Sequence, residues 1–286
     1  MYLGRFAAQR LLRFFTEITP VPRVQGNLSG AGCRNNITNE DSRKRSEESM
    51  RRLVALFVSA FALILLFPLM VVIALAIVLD SPGNPFYRAC RVGRESRKFR
   101  MWKFRTMATV GKGWQTGPGI TARGDARITR VGRVLRRSKL DELPQFVNVL
   151  LGHMTLVGPR PEAPEFVAFY TARHRAVLLV KPGVTGCVQI ASAEESDSIP
   201  EGVEPDQYYV AHLMGPKIEM DREYLAQRTA WSDARIVFAT AAMVVRMIFR
   251  MMFNARTESS EEPETMEAVA STAEGSGNED LDHRSL

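Results

Sequence analysis

Two adjacent carboxylates, Asp141 and Glu142, are the residues of this chain whose type and spacing are best suited to chemistry. They lie in the stretch RRSKLDELPQFVNVLLGHMTLVGPRPE, residues 136–162, in which three arginines supply fixed positive charge. Free N–H groups at a helix start attract phosphate, and arginines strengthen that attraction. A carboxylate inside an anion-binding site is typical of a nucleophile or a cation ligand. The alternative is that both acids only complement the positive end of a helix dipole.

The sequence around the acidic pair predicts a helix that starts close to it. Ser138 can cap this helix, and Pro144 is tolerated only in a first turn, where its missing N–H costs nothing. An apolar run follows, and Gly152 is a stop signal. We therefore expect the carboxylates in or just before the first turn of a short helix.

The charge of the chain limits the classes of partner. The formal net charge is +7, but nine acids and only one base follow residue 256, so residues 1–256 carry 37 bases and 22 acids. Such a charge suits nucleic acid, anionic lipid head groups or phosphorylated small molecules. Nucleic acid is disfavoured because aromatic residues are not interleaved as a stacking platform. The three cysteines are widely spaced and indicate neither a disulfide framework nor a zinc site.

An uncharged stretch of 27 residues, 53–79, is long and apolar enough to be a membrane segment. Pro68 lies in its middle, where a proline removes a backbone hydrogen bond and kinks or breaks a helix. Both flanks are basic, so the charge asymmetry of a spanning helix is missing. These features favour a re-entrant hairpin that bends at Pro68 and leaves on the side it entered. A spanning helix is the alternative.

The remaining segments differ in composition. Residues 98–107 alternate basic with apolar side chains and predict a half-exposed strand or a surface that touches phosphates or lipid head groups. Residues 164–179 predict a helix, and residues 232–253 predict a helix lying in the membrane interface. We divide the chain into residues 1–49, amphipathic or disordered with a linker from 19; residues 50–80, the membrane segment; residues 81–253, a small domain; and residues 254–286, a disordered acidic tail.

Several ordered motifs resemble the bacterial sugar transferase family, the monotopic phosphoglycosyl transferases. After the hairpin with its central proline come DSPG from Asp80, RVG from Arg91, KFRTM from Lys103, DARITRVG from Asp125, LDELPQ from Leu140, GHMTLVGPRPE from Gly152, KPGVTG from Lys181 and MDREYL from Met220. The resemblance covers residues 50–250. It implies an α/β fold that is mostly helical with little sheet, in which a re-entrant membrane helix hairpin precedes a small cytosolic catalytic domain with interfacial helices.

The resemblance also implies a reaction: a sugar-1-phosphate passes from a UDP-sugar to undecaprenyl phosphate, and UMP is released. Asp141 would be the nucleophile that forms a covalent phosphosugar-aspartate. Glu142 would act as a base or by positioning. Mg²⁺, a hard cation, would bind Asp141 and the diphosphate. Candidate phosphate contacts are Lys103, Arg105, Arg136 and Arg160.

The expected location is the bacterial inner membrane, with the catalytic domain on the cytoplasmic face, in the first membrane step of exopolysaccharide, O-antigen, capsule or glycoprotein glycan assembly. Downstream glycosyltransferases are further candidate partners. Two other functions explain part of the sequence. A non-enzymatic adaptor would use the basic surface to bind anionic lipid, and a conventional glycosyltransferase would release UDP instead of UMP.

Overall fold

The computed structural model describes residues 33–108, 120–121, 125–191, 200 and 202–258. The predictions for residues 1–32 and for the acidic tail beyond residue 258 lie outside this part. Two compact units divide the chain, residues 1–242 and residues 243–286. Of the second unit, the structure describes the C-terminal part of one helix.

Helices make up most of the described chain, which confirms the mostly helical fold with little sheet. The helices are α1 (Cys33–Asp80), α2 (Arg130–Ser138), α3 (Gln145–Leu150), α4 (Pro164–Val167), α5 (Cys187–Ala191), α6 (Pro205–Tyr208), α7 (Met214–Ala226) and α8 (Ala230–Glu258). A π-helical segment, Tyr209–Leu213, joins α6 to α7, and 3₁₀ turns cover Arg94–Ser96, Leu140–Glu142 and His174–Leu179. The strands are β1 (Phe86–Val92), β2 (Lys98–Phe104), β3 (Thr155–Val157) and β4 (Gly183–Thr185).

Helix α1 contains the apolar segment and extends well beyond it. Residues 33–49, which we expected to be linker, are helical and extend the apolar helix toward its N-terminus. Within the described chain, α1 is the one helix long and apolar enough, over residues 45–80, to cross a membrane, and an 18-residue window of it has a mean hydropathy of 3.2. The backbone stays helical through Pro68, so any bend there occurs within a continuous helix.

One side of α1 packs on the rest of the first unit. Ala55 joins a core cluster with residues of β1, β2 and α3, and Ile77 joins another with Phe104 and Leu135. Most other apolar side chains of α1 are exposed. Phe57 is 75% exposed and Ile64 is 76% exposed, which is unusual for large apolar residues in a water-soluble protein.

The four strands form two small two-stranded sheets. Strands β1 and β2 pair antiparallel from Phe86 opposite Phe104 to Val92 opposite Lys98. This pairing confirms the strand predicted in the basic and apolar alternation. Strands β3 and β4 pair in parallel, with Thr155 opposite Gly183.

The predicted helix over residues 164–179 is instead α4 and a separate 3₁₀ turn. Residues Ala168 to Arg173 separate the two, and Tyr170 within them is buried in a core cluster with Phe166. Packing of Tyr170 therefore overrides the local helical preference.

Candidate active site

Asp141 and Glu142 lie together in one 3₁₀ turn between α2 and α3. Asp141 is 7% exposed, and Glu142 is half-buried. Lys139 precedes the turn in the left-handed region, with φ of 59°, and this conformation separates the turn from the end of α2. Asp141 and Glu142 therefore lie on a tight bend whose backbone is continuous with α2 on one side and α3 on the other.

The predicted cap of this region is wrong. Ser138 ends α2 instead of starting a helix, and its hydroxyl donates to the carbonyls of Val134 and Leu135 in the preceding turn. Pro144 immediately precedes α3, as its missing N–H requires. Gly152 follows α3 with φ of 82°, which confirms the predicted stop.

Two cations predicted from the sequence meet at Glu142. Lys103 Nζ on β2 lies 2.8 Å from Glu142 Oε1 and 3.7 Å from Asp141 Oδ2. Arg160 Nη2, in the turn after β3, lies 3.3 Å from the same Glu142 oxygen. The acidic pair, Lys103 and Arg160 therefore form one cluster, drawn from segments up to 57 residues apart in the chain.

The two carboxylates have opposite pKa shifts. Burial would raise the pKa of Glu142, but the charges of Lys103 and Arg160 and the Lys103 hydrogen bond outweigh burial and hold that pKa well below its usual range. Burial raises the pKa of Asp141, where Lys103 opposes burial and the charge of Glu142 adds to it. Glu142 is accordingly a firmly ionised anchor for cations, and Asp141 is the more basic of the two.

Arg136 of α2 interacts electrostatically with Asp141. Its Nε donates to Thr106 Oγ1 at 2.8 Å. Burial lowers the pKa of the Arg136 guanidinium, and the charges of Asp141 and Asp125 oppose that effect. Arg136 therefore adds positive charge next to Asp141.

Arg105 has a different environment from the other candidate phosphate contacts. It is 4% exposed, and its guanidinium donates to the carbonyls of Ser81 and Pro82, both at 2.6 Å. These bonds fasten the turn that follows α1 to the end of β2. The structure thus gives Arg105 a role in holding the backbone, and its contact with phosphate stays a prediction.

Asn148, which was not among the residues predicted from the sequence, fixes the position of α3 relative to β2 and Lys103. The side chain is fully buried, accepts from the Trp102 N–H and donates to the Arg100 carbonyl, both at 2.8 Å. The amide thus pairs with the free edge of β2 as a neighbouring strand would. One asparagine inside an apolar run was the available signal.

Gly132 allows α2 to approach the end of β2 closely. A Cβ at this position would lie 2.0 Å from the Thr106 carbonyl oxygen. Thr129 caps α2 by accepting from the Gly132 N–H, and Asp80 Oδ2 accepts from Val131 at 3.0 Å. The start of α2 is therefore tied both to β2 and to the end of α1.

Asp125 and Arg127 form a bidentate ion pair, with 2.6 Å between Arg127 Nη2 and Asp125 Oδ2. Asp125 also attracts Arg136. This ion pair lies within the motif DARITRVG, to which the sequence alone assigns no role.

A metal ion bound at Asp141 would have few protein ligands among the described residues. Within the described residues, no three His, Cys, Asp or Glu side chains group as a metal site. Asp141 offers a carboxylate oxygen, whereas Glu142 is engaged by two cations. This donor set fits Mg²⁺, which is commonly held by one or two carboxylates together with substrate phosphates and water. It does not fit a metal that needs a closed cage of side chains.

Comparison with known proteins places the chain in a family. Residues 46–247 match the family described as bacterial sugar transferase. The chain belongs to this family. The match includes α1 from residue 46 onward and every residue of the cluster around Asp141.

Among its relatives, the UDP-N-acetylgalactosamine-undecaprenyl-phosphate N-acetylgalactosaminephosphotransferase of Aeromonas hydrophila is 36% identical over 203 residues, which are 68% of this chain and 44% of that protein. The UDP-glucose:undecaprenyl-phosphate glucose-1-phosphate transferase of Caulobacter vibrioides is 38% identical over 197 residues, 67% of this chain and 68% of that protein. The exopolysaccharide production protein PSS of Rhizobium leguminosarum bv. phaseoli is 34% identical over 201 residues, 67% of this chain and 92% of that protein. The chain thus spans less than half of the Aeromonas protein.

Proposed function

We propose that this chain transfers a sugar-1-phosphate from a UDP-sugar to undecaprenyl phosphate and releases UMP. The observation that carries the proposal is a buried Asp141 flanked by Lys103, Arg136 and the Glu142–Arg160 pair, in a chain of the bacterial sugar transferase family. The names of these relatives supply the substrate class, because two of them give a UDP-sugar as the donor and undecaprenyl phosphate as the acceptor.

Asp141 acts as the nucleophile in two displacements. An oxygen of its carboxylate attacks the phosphorus that carries the sugar, and the bond from that phosphorus to the bridging oxygen breaks, so UMP leaves with the electron pair. An oxygen of the lipid phosphate then attacks the same phosphorus and expels the carboxylate. Asp141 is regenerated, and the product is undecaprenyl-diphosphate-sugar.

The two carboxylates have different tasks because their pKa values are moved in opposite directions. Burial raises the pKa of Asp141, while the charge of Lys103, 3.7 Å away, opposes that rise and favours the ionised carboxylate that the attack requires. Glu142, whose pKa is held low, is a poor proton acceptor at neutral pH. Of the two roles left open by the sequence, positioning therefore suits Glu142 better: it holds Lys103 and Arg160 where the diphosphate binds.

The cations balance the charge of the donor. Lys103, Arg136 and Arg160 surround the acidic pair and can contact phosphate oxygens, the arginines in bidentate fashion. When bound, Mg²⁺ would offset charge developing on the diphosphate. Asp141 is its protein ligand in this proposal.

We also propose a re-entrant path for α1. Arg52 Nη1 donates to the Val149 carbonyl at 2.9 Å, and Asp80 at the other end of the apolar segment accepts from Val131. Both ends therefore touch the same unit, whereas crossing a hydrocarbon core of about 30 Å would put them on opposite faces. A bend at Pro68 lets both ends remain at the cytoplasmic face of the inner membrane, where nucleotide sugars are available.

The test is nucleotide release from a panel of UDP-sugars by purified full-length protein in detergent with Mg²⁺ and undecaprenyl phosphate. We expect UMP that depends on the lipid and disappears in Asp141→Asn, and the active donor names the sugar. Release of UDP would contradict the proposal in favour of a conventional glycosyltransferase. No release from any donor would contradict it in favour of an adaptor.

A further inference from the structure

The β1–β2 hairpin turns one of its two faces, its inner face, toward α3 and the acidic pair. Ala89 and Met101 lie opposite each other on this face and are buried in a core cluster with Val149 of α3. Lys103 lies two residues beyond Met101 and therefore on the same face. Its ammonium reaches Glu142 at 2.8 Å. The inner face thus continues from the core to the edge of the candidate active site.

Tyr87 lies opposite Lys103 on this inner face. Opposite residues of an antiparallel pair share a face, with Cβ atoms about 4.5–5.5 Å apart. The neighbours of Tyr87 point the other way: the ring centres of Phe86 and Trp102 are 5.9 Å apart, and the guanidinium carbon of Arg88 lies 5.1 Å from the centre of the Trp102 ring. Because successive side chains of a strand alternate between faces, Tyr87 points to the side of Lys103.

Tyr87 is a large aromatic residue that stays 40% exposed on a fixed piece of backbone. The Pro85 carbonyl accepts from the Arg105 N–H at 2.8 Å, and Asn84 Oδ1 accepts from the Phe86 N–H at 2.8 Å. These bonds hold the start of β1. A ring on a fixed strand loses little conformational freedom when a ligand binds to it. Tyr87 is therefore a preorganised aromatic surface at the edge of the acidic pair.

The donor carries a planar group in a matching position. From the phosphorus that Asp141 attacks, a UDP-sugar continues through the second phosphate and the ribose to the uracil base. On the protein, the Lys103 ammonium lies 3.7 Å from Asp141, and Tyr87 lies beside the strand position of Lys103. The order carboxylate, cation and ring therefore matches the order reacting phosphorus, diphosphate and base. An aromatic side chain stabilises a bound base by stacking on its face.

We propose that the Tyr87 ring stacks on the uracil base of the donor, so that the site selects a nucleotide-linked sugar over a sugar phosphate without a base. The inference rests on the proposed function, which brings a UDP-sugar to Asp141. The base contact itself can be measured without turnover.

Two probes separate the base from the phosphate: UMP, and ribose 5-phosphate, which lacks the uracil. Calorimetric titration of purified full-length protein in detergent measures the affinity for each. We expect Tyr87→Leu to weaken UMP binding about 5- to 150-fold and ribose 5-phosphate binding less than about twofold. Tyr87→Phe keeps the ring and should bind UMP within about twofold of wild type. Loss of affinity for both probes, or for neither, would overturn the proposal.

Phe86→Leu is the matched control, because Phe86 is the adjacent residue, is 37% exposed and points to the outer face. We expect this variant to bind UMP as wild type does. Equal weakening in Phe86→Leu and Tyr87→Leu would reveal a general effect on the hairpin and would overturn the proposal. Tyr87→Thr, which places a good strand former at the same position, gives the same test if Tyr87→Leu does not fold.

Steady-state kinetics give a second readout. A contact to the base is the same before and during the displacement at phosphorus, so its loss weakens binding without slowing the chemical step. Tyr87→Leu should therefore raise KM for the UDP-sugar and leave kcat within about twofold of wild type. A fall in kcat at unchanged KM would overturn the proposal. A raised KM with unchanged UMP affinity would also overturn it, because the ring would then contact the sugar.

The outcomes separate this inference from the proposed function. UMP release by the wild type, together with UMP binding that Tyr87→Leu does not alter, would overturn the stacking contact alone. If no donor releases UMP from the wild type but UMP binding still depends on the Tyr87 ring, the proposed function fails and the base contact stands.

Discussion

Lys103 makes the shortest described contact to the acidic pair, and its replacement should separate charge from packing. Lys103→Met keeps most of the side-chain length but removes the ammonium 2.8 Å from Glu142 and 3.7 Å from Asp141. A hydrogen bond to a charged group contributes about 1.5–3 kcal/mol. At about 1.36 kcal/mol for each factor of ten, kcat/KM for UMP release should fall about 10- to 150-fold.

The pH dependence gives the same prediction a second observable. The Lys103 charge lowers the pKa of Asp141 against the effect of burial. Removing that charge raises the pKa, so the acidic limb of kcat/KM against pH should move to higher pH in Lys103→Met. Lys98→Met is the matched control, because Lys98 begins the same strand and is exposed. Activity of Lys103→Met within about twofold of wild type, or an equal loss in Lys98→Met, would refute the electrostatic reasoning.

Three further predictions concern the frame around the site. Asn148→Leu should lower the free energy of unfolding by about 2 kcal/mol or more, because it leaves the Trp102 N–H and the Arg100 carbonyl unpaired. Denaturant titration in detergent measures this change, and an unchanged midpoint would contradict the prediction. Gly132→Ala should cost about 1–3 kcal/mol because its Cβ would meet the Thr106 carbonyl, whereas Gly215→Ala, with no atom within 4 Å, should be tolerated; equal melting temperatures for the two variants would contradict this. Burial raises the folded-state pKa of Asp221 to about 7, above its ordinary value of 3.8. The stabilisation that comes from the protonated carboxyl group is therefore fully present below about pH 4. It is lost as the pH rises through about 7, by on the order of 4 kcal/mol at most. Between pH 5 and pH 8, the free energy of unfolding should therefore fall less in Asp221→Asn than in wild type. Equal decreases in the two proteins would contradict the raised pKa of Asp221.

The sequence predicted several features that depend on local chemistry. Alternation of basic and apolar residues predicted the strand Lys98–Phe104, and a long uncharged run predicted the apolar helix. A glycine after an apolar run predicted the helix end at Gly152, where the structure has a positive φ. Lys103 and Arg160 were candidate phosphate contacts, and the structure places both against Glu142.

Features that depend on distant backbone groups were not predicted. Arg105 is held by carbonyls of residues 81 and 82, and carbonyl groups give no signal in a sequence. Ser138 was expected to cap a helix, but a serine that bonds to the preceding turn has the same sequence signature as an N-cap. Asp221 looks like any acid within a helix until the fold buries it against the Cys187 thiol.

The most direct test of the central claim is the mass of the protein after incubation with its active UDP-sugar in the absence of undecaprenyl phosphate. We predict a mass gain equal to one sugar phosphate, located on the peptide that contains Asp141. The gain should be absent in Asp141→Asn and retained in Lys98→Met. An adduct on another residue, or UMP release that persists in Asp141→Asn, would contradict Asp141 as the nucleophile.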